Sequence, residues 1–215
     1  MVRSYRVLAT LIPLALLIGC SASPQPESLP PPPASDPGFS AFVSGARDSV
    51  GSIPGSPDAP YVFRFRQIEP ASDRFTFQDR DLSFYFKPTP DALHFQVENR
   101  QNRPVWIEWD RATFFDPNGG SGKVAHGSTR WKDRFQSQVS TQIPGLQRYG
   151  DYVLPMEYLL DNPSVDQQLH RPLLPEDSTS PQYTDRVFGV DLVFLVEDRP
   201  RTYAFRFKVA SVIPR

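Results

Sequence analysis

A single cysteine, Cys20, stands among the 215 residues, so no disulfide can close within the chain and stability must come from a packed core. Histidine is nearly as scarce. His94, His126 and His170 sit singly, without the close pair of ligands that zinc sites usually show. No G-x-S-x-G elbow is present to lift a serine nucleophile. Positive charge is not in surplus, with 23 Lys and Arg against 24 Asp and Glu, which removes the electrostatic case for binding nucleic acid. Long uninterrupted apolar runs are missing too. The stretch from Val7 to Ile18 is broken by Thr10 and Pro13 and is too short to span a bilayer permanently. What the chain does have in quantity is proline, 24 residues, and phenylalanine, 16, the latter mostly beyond residue 60 and enough for a sizeable core.

Arg3 and Arg6 precede the apolar run and the small Gly19 closes it, the layout of a secretory signal over residues 1–19. A buried helix fits poorly, because polar, proline-rich sequence follows at once. An ordinary signal peptide shows an A-x-A-like site, whereas here the lone cysteine comes directly after Gly19. Leu17-Ile18-Gly19-Cys20 resembles the lipobox of bacterial lipoproteins. The resemblance implies cleavage before Cys20, a thioether-linked diacylglycerol on its sulfur, and a further fatty acid such as palmitate on the new N-terminus. One acyl chain gives marginal, reversible binding, while each buried methylene adds about 0.8 kcal/mol, so several chains hold firmly. Ser21 stands where inner-membrane lipoproteins of enteric bacteria carry Asp, and by that similarity it implies the outer membrane. A lipidated Cys20 also leaves no thiol nucleophile. Loss of Arg3 and Arg6 lowers the basic residues from 23 to 21 against 24 acids. That mildly acidic balance offers no polybasic grip on anionic lipid.

Between Cys20 and Pro37, proline takes seven of 18 positions, with Pro30 to Pro33 in a row. Such sequence favours extended polyproline II and cannot bury a core. Gly, Ser and Pro stay common to Pro60. Residues 20–60 are therefore expected to be a disordered tether that holds a domain, residues 61–215, away from the lipid.

From Tyr61 the apolar residues recur at period two, the mark of half-buried strands. Tyr61, Phe63 and Phe65 share one face, as do Phe75 and Phe77. So do Leu82, Phe84 and Phe86, and again Leu93, Phe95 and Val97. Asn99 to Pro104 is a polar turn, after which Val105, Ile107 and Trp109 form the next face. Pro117-Asn118-Gly119-Gly120 is a strong hairpin signal between Thr113–Asp116 and Lys123–His126. Residues 128–150 are irregular, with a short strand expected over Tyr152 to Pro155. Asn162 before Pro163, with Val165 and Leu169 four apart, predicts one short helix. The chain closes on its clearest hairpin, in which Val190, Leu192, Phe194 and Val196 turn through Asp198-Arg199-Pro200 to Tyr203, Phe205, Phe207 and Val209. The fold class expected is all-β, an antiparallel immunoglobulin-like β-sandwich with one short helix.

The stretch from Leu93 to His126, with Val105-Trp106-Ile107-Glu108-Trp109-Asp110, a glycine hairpin and Val124-Ala125-His126, resembles a pattern in uncharacterised bacterial envelope lipoproteins. It covers about a sixth of the chain and implies no activity.

Chemical motifs fare badly. Gly119-Gly120-Ser121-Gly122-Lys123 hints at a phosphate loop, but Pro117 stands where the first glycine belongs and Val124 where Ser or Thr belongs. Asp116, Asn118 and Gly120 open like a calcium loop, yet Ser121 replaces its glycine and Gly127 its bidentate glutamate. Looser binding through Glu108, Asp110 and Asp116 is the residual option. No catalytic residue, cofactor or metal is assigned. Trp106, Trp109 and Trp131 with Tyr85 and Tyr152 are the candidates for an aromatic binding surface, Trp106 foremost, since alternation sets it opposite Ile107. The plainer role for Trp106 is to cover the outer sheet beneath the 128–150 loop. Arg64 and Arg66 read as a solvated strand face. The expectation is a non-enzymatic, lipid-anchored cell-envelope protein of the outer membrane that acts as a binding, scaffold or assembly module with an envelope protein partner. Its rivals are an envelope hydrolase acting on glycan or peptide, which would need a cleft with titratable groups in reach of one another, and a carbohydrate-binding module.

Overall fold

A computed structural model describes residues 50–51, 61–161 and 168–214. The signal segment, Cys20 and nearly all of the expected tether lie outside these residues. The strands, in chain order, are β1 (Val50–Gly51), β2 (Tyr61–Glu69), β3 (Ala71–Ser72), β4 (Thr76–Gln78), β5 (Leu82–Pro88), β6 (Leu93–Asn99), β7 (Val105–Ile107) and β8 (Thr113–Phe115). They continue with β9 (Ser121–His126), β10 (Thr141–Ile143), β11 (Arg148–Pro155), β12 (Leu159–Leu160), β13 (Leu169–His170), β14 (Val187–Val196) and β15 (Arg199–Pro214). The class is all-β, and every pairing is antiparallel.

One 13-stranded sheet runs β1-β2-β15-β14-β8-β9-β11-β6-β5-β4, with β3 beside β2 and β7 between β14 and β10. It folds over on itself. Phe84 and Phe86 of β5 lie 5.0 and 4.4 Å from Phe205 of β15, and Phe84 lies 5.6 Å from Phe194 of β14. Burial of these rings is the main stabilising term, and alternation along β5 and β6 delivers them: each strand reads buried, half-buried, buried throughout.

The bend is made by β9. Its first half, Ser121 to Lys123, pairs with β8, and its second half, Val124 to His126, pairs with β11. Period two fails there because Val124, Ala125 and His126 are all buried in succession. A strand leaving one layer for the other is covered on both faces. The same crossing carries His126 into the interior.

Several local expectations shift. The expected helix falls mostly on residues 162–167, outside the described set, but Leu169 belongs to β13, paired with Leu160 of β12. The strand carrying Val105 and Ile107 stops short of Trp109, which opens a 3-10 turn over Trp109–Arg111. Glu108 donates its N–H to the Val193 carbonyl as the chain leaves the ladder, and Ala112 N–H closes the turn onto Trp109. Phe75 is not in a strand: its φ of 56° makes it a turn residue, although its ring still packs 6.4 Å from Phe207. The last hairpin turns through Glu197-Asp198 rather than Asp198-Arg199-Pro200. Both turn residues have positive φ, 51° and 59°, and Val196 pairs directly with Arg199. A two-residue turn with both centres left-handed matches the twist of the strands it joins, and that advantage outweighs the absence of glycine. Finally, the short strand expected at Tyr152–Pro155 is the end of the longer β11, and the irregular stretch before it contains β10.

Candidate functional site, a cleft beside His126

Residues 127–141 form almost no ladder of their own and are tied down by side chains instead. His126 and Thr129 clasp the start, His126 N–H donating to Thr129 Oγ1 at 3.0 Å and Thr129 N–H to the His126 carbonyl at 2.8 Å. Further along, Gln138 donates to the Val124 carbonyl and accepts from Thr129 Oγ1, at 2.9 and 2.8 Å. Ser140 Oγ donates to Glu108 at 2.8 Å, and the Trp109 indole N–H donates to Thr141 Oγ1 at 2.8 Å. The polar composition that makes this stretch irregular thus also fixes it. Between its two arms lies a cleft of about 380 Å³, walled by His126, Arg130, Asp133, Gln138 and Thr141 among others, at the lower end of the small-ligand range.

His126 forms the floor. Its ring stacks on Trp109, centroids 4.1 Å apart and planes 7° from parallel, and Nδ1 lies 3.1 Å from Asp151 Oδ2. Asp151 is bound on all sides. Oδ2 also accepts the Tyr149 hydroxyl at 2.6 Å, and Oδ1 accepts the backbone N–H of Gly127 and Tyr152 at 3.0 and 2.8 Å. Burial alone would raise its pKa, but the donors from His126, Tyr149 and Tyr152 outweigh that, and the carboxyl stays below its ordinary value. Tyr149 is pushed the other way, by burial first and then by the Asp151 charge, so it remains a hydroxyl donor. Ser128 is exposed, with Oγ 3.4 Å from both nitrogens of the His126 ring.

Comparison with family models, curated proteins and solved structures finds no match.

The aromatic residues proposed from sequence do not share one surface. Trp109 is only 1% exposed and is a core residue, because the 3-10 turn folds it inward beside His126. Trp106 is half-buried on the opposite side of β7 from Ile107, paired with Gln142 of β10 and Leu195 of β14. β10, from the 128–150 stretch, lies beside Trp106 in the same sheet. Trp131 is half-buried under the Arg134 guanidinium, 3.5 Å from its ring centroid. Tyr152 donates to Gln168 at 2.6 Å and lies 5.5 Å from the His94 ring and 6.1 Å from the His170 ring. Tyr85 is half-buried on β5, and burial raises its pKa.

His94 is less of a surface residue than its strand position suggests. Burial lowers its pKa to about 4, against the opposing pull of Asp91. The carboxylates considered for loose calcium binding are dispersed: Glu108 serves Ser140, Asp110 accepts the Gln138 N–H, and Asp116 accepts the N–H groups of Asn118 and Gly120 inside the hairpin turn. Sequence spacing gave no hint of the His126–Asp151 pair, 25 residues apart. It arises from the β9–β11 register, in which His126 faces Val153.

Proposed function

We propose that this chain is a bacterial lipoprotein, held by lipid on Cys20 in the cell envelope, at the outer membrane by Ser21, and working by contact with an envelope partner rather than by catalysis. The observation that carries this reading is the Leu17-Ile18-Gly19-Cys20 motif at the end of a short apolar run, with no other cysteine in the chain. The β body then serves as cargo displayed above the lipid, with immunoglobulin-like sandwich architecture as its finer description. Support for a sandwich comes from the facing β5 and β15, and the strand shared through β9 is the point at which it departs from two separate sheets. The test is metabolic labelling with a fatty-acid analogue. The native chain takes up the label and fractionates with membranes, and Cys20→Ala loses both. Label that persists in Cys20→Ala overturns the reading.

One observation favours a second reading, an envelope hydrolase: His126 and Asp151 form a hydrogen-bonded pair beside a cleft that also contains Ser128. In that reading Ser128 Oγ attacks a peptide carbonyl and its proton passes to His126 Nε2, then to the leaving amine, and water releases the acyl group. It ranks second because Ser128 Oγ is 3.4 Å from both ring nitrogens, which sets it over the ring face instead of in the ring plane along the Nε2 lone pair. Asp151 also braces two strands with four accepted bonds, a structural duty sufficient to explain it. A fluorophosphonate probe that fails to label Ser128 in the full chain removes this reading.

A further inference from the structure

The segment from Arg130 to Val139 turns apolar side chains outward. Phe135 is 82% exposed and Val139 87%, the highest values for large apolar residues among the described ones. Phe135 is not simply loose. The Arg134 guanidinium carbon lies 4.2 Å from its ring centroid and 3.5 Å from that of Trp131, so one cation is shared by two aromatic rings. Arg130, Lys132 and Arg134 crowd this stretch against Asp133 alone. Glu108 and Asp110 keep their charge near the C-terminal end of the segment, where they accept from Ser140 Oγ and the Gln138 N–H, and Asp133 accepts from Gln136. Arg130 and Arg134 in turn each donate to a backbone carbonyl, of Gly127 and Trp131.

Single exposed apolar residues need no explanation. Here a phenylalanine, a valine and a half-buried tryptophan share a short loop with three cations. That is the composition of an interfacial membrane anchor, in which aromatic and aliphatic groups enter the boundary of the acyl region and Lys and Arg keep their charges among the phosphates. The chain as a whole is mildly acidic, so the attraction is local to this loop.

We propose that the 130–139 loop is a second, weak contact with the phospholipid surface, Phe135 and Val139 entering it while Arg130, Lys132 and Arg134 meet anionic headgroups. This rests on the lipid-anchor reading. A protein partner is the poorer fit for so small a tip, since a stable protein interface buries about 1,200–2,000 Å² in total. A lipid surface asks for no such area. An anchor at Cys20 with residues 21–60 as its leash keeps the body at high effective concentration over the membrane, so a weak contact is populated.

The experiment uses the full lipidated chain carrying Phe135→Trp, reconstituted into vesicles of phosphatidylethanolamine with phosphatidylglycerol whose acyl chains are brominated. Flotation reports the anchor, and quenching of the added fluorescence, taken as the difference from the chain without the substitution, reports the loop. Expected is a chain that floats and is quenched, with insertion weakening about fivefold for Lys132→Gln, the equivalent of ~1 kcal/mol per cation at the surface. The same quenching should fall when phosphatidylglycerol is omitted. A chain that floats but is not quenched overturns the loop contact and leaves the anchor standing. One that does not float overturns both. An indole at position 135 shielded from iodide in native membranes, yet unquenched by brominated lipid, means a protein covers the loop and likewise overturns the proposal.

Discussion

Replacing Asp151 with alanine would strip the partner from four donors at once: His126 Nδ1, the Tyr149 hydroxyl, and the backbone N–H groups of Gly127 and Tyr152. The carboxylate is only 10% exposed, so water cannot replace it without opening the β9–β11 junction. An unsatisfied buried polar group costs about 1–3 kcal/mol, and breaking a buried charge-assisted cluster about 3–5 kcal/mol, so the whole loss is set at ~3–5 kcal/mol rather than the sum of four terms. For a body of this size each kcal/mol shifts Tm by roughly 2–4 °C, giving a fall of about 10 °C by differential scanning calorimetry. The pH dependence supplies an independent check. The folded-state pKa of Asp151 is depressed, so its contribution is present above the unfolded carboxyl value, near 4, and is lost as pH falls through the lower folded value. Asp151→Asn should therefore lose stability at pH 7 but flatten the acid limb of the stability profile. A loss below ~1 kcal/mol in Asp151→Ala, with an unchanged acid limb, would refute the claim that this carboxylate braces the two strands.

Phe205→Ala removes the ring on which Phe84 and Phe86 converge, at a site 1% exposed, and should cost about 3–5 kcal/mol in urea unfolding. A cost under ~1 kcal/mol would mean that the two faces do not interlock there. His94 has its folded pKa lowered to about 4, so the unfolded chain takes up a proton that the folded one refuses as pH drops. Stability should fall from pH ~6.5 towards pH 4, less steeply in His94→Gln, and an NMR titration midpoint for His94 above 6 would contradict the burial that causes it.

Alternation was readable wherever a strand has one wetter face. β5, β6 and β15 lie where their phenylalanines placed them, because period two survives burial on one side only. It was unreadable where burial is two-sided or the backbone leaves the ladder. Val124-Ala125-His126 has no polar face to alternate with, and Trp109 looked like the next strand position after Ile107, although a 3-10 turn carries it inward. The cleft was hidden for a different reason. Gln138, Ser140 and Thr141 read as loop residues, and nothing in their order says that they are tied to Val124, Glu108 and Trp109 across the fold. Asn99, which opens the polar turn in the sequence, is wholly buried, with its amide nitrogen in reach of the Arg103, Ile143 and Pro144 carbonyls. Long-range register, not local propensity, made both.

Because β9 belongs to both halves of the sheet, neither half owns a complete set of ladder partners. Melting one half would strip an edge from the other, so the body has no cheap intermediate in which half of it stays native. Amide exchange of Val97 and of Val190, on opposite sides of that crossing, should then converge on a common rate as denaturant is raised, and partial digestion should yield either the whole body or small peptides.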